Sequence, residues 1–74
     1  MITLPGQLSL QDWADQIVKD LDRYGSWAKL EDVVHWQDWA AQFFNNVYLG
    51  HNLPNPYGFA EWREWAERFC GALL

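Results

Sequence analysis

The chain has 74 residues, a formal net charge of −5 and a pI near 4.6; half of it is apolar, and six Trp, four Phe and three Tyr make it strongly aromatic. That length holds one domain, which buries only roughly 60% of its unfolded surface, so the core must be rich in large side chains. The acidic balance excludes a nucleic-acid binder, which uses Lys and Arg to neutralise phosphates; here Lys19, Arg23, Lys29, Arg63 and Arg68 are few and scattered.

Residues 1–8 read as an extended lead-in, with Pro5-Gly6 as a turn signal and neither the basic residues nor the apolar core of a signal peptide. Ser9 is placed as a helix N-cap, with Asp12 at the third helical position and Leu8 and Trp13 at hydrophobic-staple spacing. The first helix is expected from about Leu10 to Arg23, burying Leu10, Trp13, Ala14, Ile17, Val18, Leu21 and the margin residue Tyr24, and stopping at Gly25. Trp27, in the connector that follows, is expected to cover one end of the core.

The second helix is expected from about Leu30 to Leu49, the longest and most apolar, with Gly50 as its stop. Its apolar arc takes in Val33, Trp36, Trp39, Ala40, Phe43, Phe44, Val47 and Tyr48. Residues 50–58 form a loop in which two prolines break any helix, and the third helix is expected from about Phe59 to Ala72. It would bury Phe59, Trp62, Trp65, Ala66, Phe69, Cys70 and Leu73, with Glu64 and Arg68 paired outside.

One phrase recurs through these helices. Leu10–Val18, Trp36–Phe44 and Trp62–Cys70 share the pattern large apolar, Gln or Arg, acid, Trp, Ala, with Trp13, Trp39 and Trp65 spaced by 26 residues each time. No segment alternates apolar and polar residues as a strand would. The fold class expected is all-α: a compact three-helix bundle over residues 1–74, its aromatic core built from this threefold repeat. An alanine at the centre of each stripe, Ala14, Ala40 or Ala66, would let the helices approach closely.

Signals for chemistry are sparse. His35, His51, Asp38 and Cys70 are the one conceivable metal set, and they lack ligand spacing; no metal or cofactor is expected. The acid pairs Asp12/Asp15, Asp20/Asp22 and Glu64/Glu67 lie on faces expected to be wet, so they serve solubility and not acid–base catalysis. Cys70 sits on an apolar stripe as a small hydrophobe, cannot form an internal disulfide, and suits a reducing cytoplasm. Neither a phosphate loop nor a nucleophile with a partner is present, so an enzyme is not expected. No apolar run is long enough to span a bilayer, and no membrane association is expected.

The most informative surface feature is a shortage of charge. From Val33 through Ala60 the single formal charge is Asp38, and depletion of charge marks interface cores, although a merely neutral polar surface has the same composition. The outer side of the second helix (Val34, Gln37, Asp38, Ala41, Gln42, Asn45) and the following loop (Asn52, Pro54, Asn55, Tyr57) are therefore the candidate interface for a protein partner or a second copy. Two other readings are an acidic nucleic-acid mimic, using Asp12, Asp15, Asp20, Glu64 and Glu67 against a basic protein, and a small-ligand binder using exposed tryptophans. In general type, and not by motif, so small an acidic, Trp-rich helical chain resembles the accessory proteins that phages and mobile elements encode.

Overall fold

In the computed structural model, which describes residues 2–50 and 52–73, three α-helices are joined by turns, and no strand occurs among the described residues. Helix α1, Leu10–Asp20, starts as its sequence predicts: the Ser9 hydroxyl accepts the Asp12 N–H at 3.2 Å, and Lys19 lies in the last turn. It ends three residues before the expected Arg23. Leu21 leaves helical geometry, the chain tightens into a 3-10 turn over Asp22–Tyr24, and Gly25 then adopts a φ of 153° that a side chain would resist.

Helix α2 is much shorter than expected, Trp36–Phe44 instead of about 30–49. At its start Leu30–Asp32 form a separate 3-10 turn, Val33 is extended, and His35 caps the helix without a side-chain bond. At its end Asn45 is the C-cap, and the Asn46 side chain accepts the Tyr48 N–H at 2.8 Å. A short amide side chain that bonds its own backbone two residues on offers the chain a turn in place of further helix. The expectation that Val47 and Tyr48 are buried therefore fails: they lie beyond the helix and are 67% and 78% exposed. Tyr24 is exposed as well.

Helix α3, Trp62–Leu73, begins later than Phe59 because Phe59 is extended and its N–H closes the 3-10 turn Pro56–Gly58 on the Pro56 carbonyl at 3.2 Å. Arg68 lies over the Phe59 ring. The molecule measures 25 × 22 × 22 Å. The backbone packed most closely on α2 is the Pro56–Gly58 turn and not another helix, and Ala14, Ala40 and Ala66 are all buried.

Large rings fill the space between the helices instead. Trp13 meets Trp39 and Trp65 edge-on, both with ring centroids 5.9 Å apart, and Trp65 stacks on Phe69 at 4.7 Å. Edge-on and stacked pairs suit the ring quadrupoles. Trp13, Ala14, Ile17, Leu21, Trp39, Ala40, Phe43, Trp65, Ala66, Phe69 and Cys70 are buried, with Trp27 packed on Phe43 at 4.7 Å as the expected cover.

Burying an indole also buries its N–H, which needs an acceptor. Trp13 donates to the Thr3 carbonyl at 2.8 Å, Trp39 to Ala28 at 2.9 Å and Trp65 to Pro54 at 2.9 Å. Each acceptor lies in the segment that leads into that tryptophan's own helix. A reverse turn follows each acceptor, closed by Leu8 N–H on Pro5, Val33 N–H on Leu30 and Phe59 N–H on Pro56.

Candidate interaction surface

The expected interface divides into residues that remain open and residues already engaged within the chain. Val34, two residues before α2, is 91% exposed and packs on nothing in the core. Asn45 and Asn52 are exposed, while Gln37 and Ala41 are half-buried. Gln42 is engaged: its side chain accepts the Ala28 N–H at 2.8 Å and donates to the Ala28 carbonyl at 3.1 Å, tying the connector to α2.

The loop is engaged too. The Asn55 side chain accepts the Tyr57 N–H, Leu53 and Pro56 are buried, and the Pro54 carbonyl holds Trp65. Tyr57, 60% exposed, donates its hydroxyl to Asp38 at 2.5 Å. That bond, a little burial and the carboxylate charge all favour the neutral phenol and raise the Tyr57 pKa above its ordinary 10. Part of the charge shortage thus has an internal cause, because the neutral side of α2 carries the Ala28 connector at Gln42 and the Pro56–Gly58 turn at Asp38. What stays open is a strip of Val34, Asp38, Tyr57, Asn45 and Asn52, with one carboxylate that is already hydrogen-bonded.

Other candidate chemistry falls into place around this strip. Trp13, Trp39 and Trp65 are buried and present no ring face to a ligand, while Trp36 and Trp62 are half-buried. Among the described residues no group of three or more metal-binding side chains occurs; His51, part of the conceivable set, lies outside the described residues. Cys70 is a buried free thiol whose Sγ donates to the Thr3 carbonyl at 3.4 Å. Burial, aided by the nearby Asp20 charge, pushes its pKa up to about 11, which suppresses the reactive thiolate. No helix is long and apolar enough to cross a membrane among the described residues.

Two features escaped sequence reasoning. Asp20, expected on a wet face, is half-buried and accepts both the Thr3 N–H at 2.8 Å and the Thr3 hydroxyl at 2.6 Å. The second is a groove of about 270 Å3 at the carboxyl ends of the helices, lined by Ile2, Leu21, Tyr24, Tyr48, Leu49 and Leu73 together with the charged side chains of Asp20 and Arg23. The sequence signal for it was available in Asn45-Asn46, which ends α2 early enough to turn Tyr48 outward. Comparisons with protein-family models, curated proteins and solved structures gave no match.

Proposed function

We propose that the protein is a non-enzymatic interaction module of the cytoplasm, and that it binds another protein through the open strip of α2 and the following loop. The single observation that supports this is the pairing of apolar exposure with missing charge: Val34 and Tyr57 stand 91% and 60% exposed in a stretch whose one formal charge is Asp38. Ordinary exposed faces carry several Lys and Glu; this one offers apolar and amide surface that a partner covers at low desolvation cost. The buried free thiol suits a reducing compartment.

The scaffold behind the strip we read as three copies of one unit of lead-in, reverse turn and helix, arranged as a compact three-helix bundle around the tryptophans. Supporting that reading are the three indole bonds to lead-in carbonyls and the three turn bonds just after them. Its role is to hold short helices rigidly enough that the strip is preformed.

Affinity capture with the full chain tests the proposal. Wild type retains a partner from the native lysate, whereas Val34→Glu and Asn52→Arg lose it with helix content unchanged by circular dichroism. Retention by both variants, or no partner at all, overturns the reading.

A further inference from the structure

Helix side chains hold the main chain of the lead-in, residues 2–8. The Trp13 indole and the Cys70 thiol both donate to the Thr3 carbonyl, the Asp20 carboxylate accepts the Thr3 N–H, and the Arg63 guanidinium forks onto the Leu8 carbonyl. An acid of α1 and a base of α3 thus grip the two ends of a segment that has no formal charge of its own. Hydrogen bonds with one charged member are roughly twice as strong as neutral ones. At Ala28 and Pro54, by contrast, the side-chain bonds among the described residues come from the following helix alone, α2 through Trp39 and Gln42 and α3 through Trp65.

The seat reads side chains as well. Asp20 also accepts the Thr3 hydroxyl at 2.6 Å, and Pro5 is fully buried, whereas Leu4, Gly6 and Gln7 are exposed. Main-chain bonds for affinity, with a few side chains for selectivity, are how folded domains take up extended peptides. Selectivity here falls on a hydroxyl residue two places before a proline. The segment is also shaped in advance: Pro5 has a fixed φ, Gly6 takes a φ of 45°, and the Leu8 N–H closes the turn on the Pro5 carbonyl at 2.9 Å. A preshaped peptide loses less entropy on docking.

We propose that α1 and α3 form a peptide-binding seat, filled in this structure by the chain's own residues 2–8, and that an extended peptide with Thr or Ser two places before Pro occupies it when the lead-in lifts. The seat is a different surface from the α2 strip, so the two can be tested apart.

Alkylation of Cys70 in the native full chain at pH 8 provides the test, because this buried thiol lies beneath Thr3 and reports an empty seat. A synthetic peptide of residues 2–8, which contains no cysteine, fills the emptied seat and slows the reaction about tenfold at about 1 mM, as a Kd of about 0.1 mM implies. The same peptide carrying Thr3→Val loses the hydroxyl bond to the Asp20 carboxylate, binds at least about tenfold more weakly, and slows the reaction less than about twofold. Absence of protection by the 2–8 peptide, or equal protection by its Thr3→Val form, overturns the proposal.

Discussion

Trp65 has two roles that can be separated chemically. Its ring meets Trp13, Trp36 and Phe69, and its N–H holds the Pro54 carbonyl and with it the loop that carries Tyr57. Trp65→Phe keeps an aromatic ring but leaves that carbonyl unpaired and opens a small cavity, a loss of about 2–4 kcal/mol. Trp62→Phe is the matched control: Trp62 is half-buried, packs on Trp13 and Arg63, and its N–H makes no hydrogen bond among the described residues. The urea midpoint should fall clearly further for Trp65→Phe than for Trp62→Phe, with similar slopes. Equal shifts would show that ring volume alone matters and that the indole bond adds nothing.

At the scale of an element, α1 and α2 share a repeated phrase but not a cap. Ser9 satisfies an otherwise orphan N–H of α1, while His35 stands in the same extended conformation, φ −115° and ψ 139°, and caps nothing with its side chain. His35 is exposed, so replacement costs no packing. His35→Ser should stabilise the protein by about 0.5–1 kcal/mol and raise Tm by roughly 2–8 °C in a scanning calorimeter. An unchanged Tm would mean that the start of α2 is held by the Trp36 and Trp39 packing alone. This pair of helices also shows how far sequence reading reaches. The phrase located Trp13, Trp39, Ala40, Phe43 and Trp65 in the core because apolar spacing survives in any helix that buries one face. It could not locate the ends of α2, since Val33, Val47 and Tyr48 continue the apolar arc while Val33 and His35 are extended and the Asn46 side chain turns the chain after Asn45. The candidate strip was legible as a shortage of charge. Its internal use by Gln42 and by Tyr57 on Asp38 was not, because those partners lie 14 and 19 residues away.

For the molecule as a whole, the lead-in is part of the core and not a tail. The Thr3 carbonyl accepts from both Trp13 and Cys70, its N–H and hydroxyl both reach Asp20, and Arg63 of α3 donates twice to the Leu8 carbonyl, at 2.8 and 3.2 Å. One short segment thereby ties α1 to α3, and Cys70 lies beneath it as a built-in probe of its opening. With a folded pKa of about 11 against an ordinary 9.0, the buried thiol holds about a hundredfold less thiolate at pH 8 than a free one. The raised value means that Cys70 favours the fold fully below pH 9, and that this contribution is lost as pH climbs through 11. Alkylation at pH 8 must therefore wait for the lead-in to lift. Thr3→Val removes the hydroxyl bond to the Asp20 carboxylate and keeps the backbone bonds, a loss of about 1.5–3 kcal/mol. If that loss falls on lead-in opening, Cys70 alkylation in native buffer should accelerate about 10- to 100-fold while the far-ultraviolet spectrum stays helical. A rate that follows only the global unfolding constant, measured in parallel with urea, would show that the lead-in never opens by itself and that the chain unfolds as one unit.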